Sequence, residues 1–415
     1  MLEPIVPPLA LRLLDGLHGA LWSAGLQSMR LRPDDILRAA RKLTGLDDLG
    51  ERDDPEGVAQ LHDGLTQVCA SIEEDADITV GGRLFMRQRL VDSVATRLRL
   101  VDWEARHTPP PLRPPIVIIG LPRSGTTWLH RLMALGPEAR TIALWEFGRP
   151  VAPRRLDYWI TVFALAVLRR TSPSIDAKHR FEVTSPEEDM LLLDGSGVSL
   201  SFPVFAPCSG YLQWYLQQDQ RVAYRYWARL LRVFQARSPG QRLVLKAPAH
   251  TPWVDALVEA VPEALLVQTH RDPVPVMGSF GSLLHTLRGQ FSRRRDPEDI
   301  GAEGIDLLSR LVHRNLDVRA ERPELRIVDV PYRSLVQSPL ATVAHIHDAL
   351  GLPFDGRARE RVTTLVRNRP QRKYGAHPYS LGEIGLTEGQ VRDRFARYDA
   401  FCAGLATIDS APDIA

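Results

Sequence analysis

A chain of 415 residues, 44% hydrophobic and 25% charged, has the composition of a globular protein long enough for two or three domains. A formal net charge of +2 excludes the dense basic surface that nucleic-acid binding requires. The three cysteines, Cys69, Cys208 and Cys402, are too few and too widely separated for a disulfide framework or a metal knuckle, and they fit a reducing cytoplasm.

Residues 1–113 read as helical and carry no chemical motif. Residues 9–26 place Ala10, Leu13, Leu14, Leu17 and Leu21 on one stripe, and Asp34-Asp35 supply an acidic first turn to a second helix. Residues 83–101, with Leu84, Leu90, Val91, Val94, Leu98 and Leu100, predict a long arginine-rich helix. The proline-rich stretch 108–115 is a stiff extended connector and the expected domain boundary. The opening Met1-Leu2-Glu3-Pro4 lacks the basic leader of a signal peptide.

The motif that organises the chain follows. Ile116-Val117-Ile118-Ile119, bounded by Pro115 and Gly120, has the composition of a strand buried on both faces. Gly120, Pro122 and Gly125 punctuate a loop, and Thr126-Thr127-Trp128-Leu129 begins a helix. A strand, loop and helix in this order aim backbone N–H groups and the positive end of a helix dipole at an anion. The glycine spacing is that of a Walker A loop, but Thr126 stands where its lysine belongs and the positive charge has moved to Arg123.

Further on, residues 141–144 predict a short strand with Trp145-Glu146 at its end, where a carboxylate faces the crevice of an open parallel sheet. Glu146 has a plainer reading as the partner of a nearby arginine. The apolar run 158–168, between Arg154-Arg155 and Arg169-Arg170, is too short for the ~20 residues that span a bilayer. It reads as a buried helix, with contact to a membrane surface as the second reading. Ser185-Pro186-Glu187-Glu188 is explained as a helix start closed by a capping box, and a role for Glu187 or Glu188 toward an acceptor stays open. The aromatic-rich helical segment 210–234 reads as core, with some rings available to wall a site.

Leu243 to Leu245 predict a buried strand with Lys246 at its end. This is one of only four lysines in the chain, where an unpaired ammonium would be costly and a bound anion would relieve it. His250 follows four residues on. Residues 265–267 form a further strand before Arg271, with Ser279 eight residues beyond; a guanidinium fork and a hydroxyl beside a helix start are fit to grip a phosphate. Residues 327–330 form the last strand before Tyr332, and 369–375 is a basic loop containing Arg372 and Lys373. No His, Cys or carboxylate cluster has metal-ligand spacing.

Together, Pro122-Arg123-Ser124-Gly125-Thr126-Thr127-Trp128, Lys246 before Pro248, the Arg271 and Ser279 pair and Tyr332 resemble the sulfotransferases that use 3′-phosphoadenosine 5′-phosphosulfate. The arginine-bearing loop is closest to the bacterial and Golgi-type branches. The resemblance covers roughly residues 114–385. It implies an α/β, three-layer P-loop-like fold, with a central parallel sheet flanked by helices and an added N-terminal helical region. The expected units are 1–113, 114–386 for the core and its nucleotide-closing loop, and 387–415 for a last helix and tail.

The resemblance further implies that Arg123, the N–H groups of Ser124, Gly125, Thr126 and Thr127, and Lys246 hold the phosphosulfate, with no metal. Trp128 and Tyr332 would approach the adenine, although Arg333 and Ser334 replace the family's acidic pair. Arg271 and Ser279 would hold the 3′-phosphate. Arg372 and Lys373 would close the site, unless they are a solvated charge run. Glu146 is the implied general base, with His250 its rival. The implied activity is sulfuryl transfer to a hydroxyl of a hydrophobic small molecule or glycolipid in a cytoplasmic protein. The alternatives are a P-loop kinase using ATP and magnesium, opposed by Thr126, and a non-catalytic nucleotide- or lipid-binding protein on the same fold.

Overall fold

The computed structural model describes residues 29–173, 175–294, 296–368 and 380–408. The expected helix at 9–26 and the basic pair Arg372 and Lys373 lie outside the described residues. Three helices come first: α1 (Pro33–Thr44), α2 (Pro55–Glu74) and α3 (Val80–Arg106). Each begins on a local signal. Pro33 and an acidic first turn start α1, the Asp54 carboxylate caps α2 by accepting from Gly57 N–H, and the Thr79 hydroxyl caps α3 by accepting from Gly82 N–H.

The sheet is five-stranded and parallel, in the order β2–β3–β1–β4–β5. Its strands are β1 (Ile116–Gly120), β2 (Ala139–Arg140), β3 (Arg242–Lys246), β4 (Leu265–His270) and β5 (Ile327–Pro331). β1 is buried along its whole length, as its run of β-branched residues requires. Its side chains alternate between two cores. Val117 and Ile119 join a cluster shared with α2, α3 and the helix α6 (Gln220–Arg237), while Ile116 and Ile118 join one with Leu129, Leu132, Val343 and Ile346. Helices therefore cover both faces. Buried Arg97, paired with Asp54 at 2.7 Å, and Arg229, paired with Asp54 at 2.9 Å and with Glu104, tie the N-terminal helices to α6.

The aromatic segment is core: Tyr211, Tyr215, Tyr224, Tyr226 and Trp227 are buried. Three expectations are corrected. The second strand is Ala139–Arg140, not 141–144, because the carbonyl of Ile142 accepts from Glu187 N–H and Ala143 bridges Pro186, which draws the backbone off the sheet. Ser185 caps no α-helix: its hydroxyl donates to Glu182 at 2.5 Å, and a 3-10 helix begins only at Asp189. The apolar run 158–168 forms part of α5 (Arg155–Thr171), but this helix is not buried. Among the described residues, no helix is long and apolar enough to cross a membrane.

β1 has β3 on one side and β4 on the other, so the chain leaves it in opposite directions, and the crevice at the strands' carboxyl ends opens there. Gly120 turns the chain into that crevice at φ 132°, where a Cβ would lie 2.5 Å from the carbonyl oxygen of Thr269. Gly120→Ala should therefore lose about 2–4 kcal/mol of unfolding free energy in urea titration. A change within about 0.5 kcal/mol, ordinary for an unconstrained surface position, would show that the turn is not so constrained.

Candidate functional site

The loop after β1 is held by side chains of its neighbours and by one of its own. Thr251 grips Gly120 twice, its hydroxyl donating to the Gly120 carbonyl at 3.1 Å and accepting from the Gly120 N–H at 2.9 Å. Ser124 is buried, its hydroxyl donating to the Leu121 carbonyl at 2.5 Å and meeting the Thr269 hydroxyl at 2.6 Å. Its side chain shapes the loop from within. Arg123 adopts a left-handed conformation at φ 67°, and Gly125 at φ 96° starts helix α4 (Thr126–Met133). The first-turn N–H groups of α4 thus face the crevice with the positive end of the helix dipole. Trp128 is partly exposed and packs beside Leu129 and Leu132.

Arg271, one residue past β4, donates to the Arg123 carbonyl at 2.7 Å and lies 4.2 Å over the Tyr332 ring. Tyr332 in turn lies so close to Gly125 that a Cβ there would come within 2.9 Å of the ring. Arg123 Nε donates to the Ser279 hydroxyl at 2.8 Å; Ser279 lies on α7 (Pro273–Arg288). The structure brings Arg123, Arg271, Ser279 and Tyr332 into one cluster.

On the other flank, Lys246 ends β3 in register with Ile118, with its side chain fully buried. Its ammonium donates to Glu188 Oε1 at 2.7 Å and to the Thr127 hydroxyl at 3.3 Å, and lies 4.0 Å from Glu187. The adjoining Asp189 carboxylate accepts three donors: the Lys246 N–H at 3.0 Å, the Trp227 indole at 2.8 Å and His250 Nε2 at 3.0 Å. Burial raises the Asp189 carboxyl, but His250 and Trp227 outweigh it and leave it below the usual range. His130, buried beneath the loop, is pushed down to about 4 by burial and the Lys246 charge, so its neutral ring meets the Val244 carbonyl at 2.9 Å.

Two residues expected at the reacting centre sit differently. Glu146 is buried, with Arg140 donating to it at 2.5 Å, the Ala143 N–H at 2.9 Å and Arg237 3.9 Å away. Its plainer reading, an arginine's partner, is the geometry observed. Arg140 pairs in register with Leu243, three residues before Lys246, which is roughly 10 Å along the strand. His250 is fully buried with both ring nitrogens engaged, Nε2 by Asp189 and Nδ1 by the Tyr224 hydroxyl at 2.7 Å. Sequence reasoning missed Glu188 as the carboxylate beside Lys246, since its apparent capping role already explained it. Among the described residues no group of His, Cys, Asp and Glu side chains could hold a metal.

Residues 114–356, more than half of the chain, match the model of the Sulfotransferase family. The chain belongs to that family. The sulfotransferase STF1 of Mycobacterium tuberculosis H37Rv is 31% identical, with a TM-score of 0.71 covering 88% of this chain and 98% of that one. STF9 of Mycobacterium avium, 22% identical with a TM-score of 0.79 over 91% of this chain and 98% of its own, shares the fold. The omega-hydroxy-beta-dihydromenaquinone-9 sulfotransferase Stf3 of Mycobacterium bovis is 26% identical over 307 residues, 69% of this chain and 76% of that protein. The kinase and non-catalytic alternatives give way to this membership.

Within this sulfotransferase site, burial raises the Glu187 carboxyl, but the charge and hydrogen bond of His179 (3.1 Å), the Lys246 charge and the Glu188 N–H hold it at about 2 against an ordinary 4.5. A depressed folded-state pKa contributes stability that is present above pH 4.5 and is lost as pH falls toward 2. Urea unfolding followed between those pH values should accordingly show a shallower acid loss in Glu187→Gln than in the parent chain. Equal slopes would mean that Glu187 is not held low in the folded protein.

Proposed function

We propose that this sulfotransferase moves the sulfuryl group of 3′-phosphoadenosine 5′-phosphosulfate to the hydroxyl of a hydrophobic, lipid-like alcohol, with Glu188 as the general base. The observation that carries this reading is the buried Lys246 ammonium, which touches the Thr127 hydroxyl at the loop's helix start and the Glu188 carboxylate at once. A cation, an anion-binding helix start and a carboxylate thereby meet at one point.

The donor set suits that nucleotide. Gly125 keeps the loop clear of Tyr332, and Arg271 and Ser279 offer a planar fork and a hydroxyl for a phosphate on the far side of Arg123. When bound, the nucleotide supplies the sulfuryl group and is released as the 3′,5′-bisphosphate. Lys246, Arg123 and the first-turn N–H groups of α4 stabilise the charge that grows on the departing phosphate oxygen. Glu188 Oε takes the proton of the attacking hydroxyl as the new O–S bond forms. Its side chain is 22% exposed, so an acceptor can reach it, whereas Glu187 at about 2 is too weak a base. His250 acts through Asp189 as a positioning residue, and Glu146 braces the chain around β2. Trp128 and Tyr332 would flank the adenine, with Arg372 and Lys373 closing over it. The name of the Stf3 relative, which gives a hydroxylated menaquinone derivative as its substrate, supports the hydrophobic acceptor.

Turnover with the phosphosulfate donor tests the assignment. Glu188→Gln and Lys246→Met should each lower kcat by about 10²–10⁴-fold, while Glu146→Gln should stay within about tenfold of the parent. The reverse order, with Glu146→Gln inactive and Glu188→Gln unimpaired, would return the base to Glu146.

A further inference from the structure

Helix α5 carries its apolar residues on the wrong side for a core helix. Leu156, Trp159, Ile160, Phe163 and Val167 are 63, 64, 56, 71 and 47% exposed. Their spacing of three and four residues gathers them on one stripe, since successive side chains turn by about 100°. Leu165, buried at 6%, points to the opposite side, against the body of the protein. Between Arg155 and Arg169 the only charged residue is Asp157, and it is turned inward, accepting the Arg154 N–H at 2.7 Å beside Arg149. Arg154 and Arg155 stand exposed at one end of the stripe and Arg170 at the other, while Arg169 turns toward the body and pairs with Asp176 at 2.9 Å.

We propose that α5 is a membrane-docking helix that lies in the plane of an anionic lipid surface, its apolar stripe among the acyl chains and Arg154, Arg155 and Arg170 among the headgroups. An apolar stripe with basic ends and no exposed charge between them is the pattern of an interfacial helix, and cations at both ends of one face favour lying flat. A second copy of this chain is the competing occupant, and charge disfavours it. Paired in either direction, two such helices would bring arginines against arginines, with no exposed acid on the stripe to offset them.

The helix is joined to the reacting centre. Tyr158 packs edge-on against Trp145 with ring centroids 6.3 Å apart, and Arg169 donates to the Phe181 carbonyl at 2.7 Å. The Phe181 ring lies tilted against His179 with centroids 4.2 Å apart, and His179 holds Glu187, the residue before Glu188. A membrane-seated α5 therefore sets the segment bearing Glu188 at the lipid surface. The proposal concerns docking and stands independently of which carboxylate acts as base.

Flotation of the full-length chain with vesicles tests it, using phosphatidylcholine alone and phosphatidylcholine mixed with phosphatidylglycerol. Binding should favour the anionic vesicles, weaken as salt rises, and fall by about tenfold or more in Phe163→Asp, with a smaller fall in Arg155→Glu/Arg170→Glu. Phe163 is exposed, so the variant keeps its fold and its turnover on a water-soluble alcohol. Absence of flotation, equal binding by Phe163→Asp, or indifference to phosphatidylglycerol would overturn the proposal. So would a parent dimer in light scattering that Phe163→Asp splits, which would assign the stripe to a second copy.

Discussion

The site rests on one buried charge. The Lys246 ammonium sits at the end of an apolar strand with no exposed surface, and a lone ammonium there would cost several kcal/mol. Glu188 answers that cost at 2.7 Å, and the neighbouring Asp189 fixes the backbone of Lys246 itself. Segment 186–189 is thus pinned across the crevice by the cation it neutralises. The same ammonium reaches the Thr127 hydroxyl, so the carboxylate stands beside the anion-binding helix start through a single shared partner.

The opposite flank is organised by contact between backbones and rings. Gly120 and Gly125 adopt left-handed conformations where the Thr269 carbonyl and the Tyr332 ring leave no room for a Cβ. Arg271 stacks on that ring and holds the Arg123 carbonyl, which presents Arg123 to Ser279. The two flanks meet at the loop after β1, which stands between a cation cluster suited to one phosphate and a cation–carboxylate pair suited to the reacting end.

Much of this was legible in the sequence for a physical reason. In a parallel sheet covered on both faces, each strand is a short unbroken apolar run, so Ile116–Gly120, Arg242–Lys246 and Leu265–His270 were found within a few residues. Cations at the ends of such runs announce a crevice, which is how Arg123, Lys246 and Arg271 were singled out. The partner of Lys246 was not legible. Ser185 to Glu188 satisfied the local rules of a helix start, and only the long-range pairing of Glu187 N–H with the Ile142 carbonyl and of Glu188 with Lys246 overrides them. The surroundings of Glu146 were hidden for the matching reason, since proximity along the chain could not reveal Arg140 and Arg237 around it. The run 158–168 showed its hydrophobicity but not what covers it, and among the described residues that face is left open.

The proposed function has one nucleotide bridge both flanks of the loop. A crystal structure of the complex with 3′-phosphoadenosine 5′-phosphate tests this most directly. The 5′-phosphate should lie on the first-turn N–H groups of α4 within hydrogen-bond reach of Lys246 Nζ, and the 3′-phosphate should lie on Arg271 and Ser279. A nucleotide seated away from Lys246, or one whose two phosphates engage a single flank, would contradict the account.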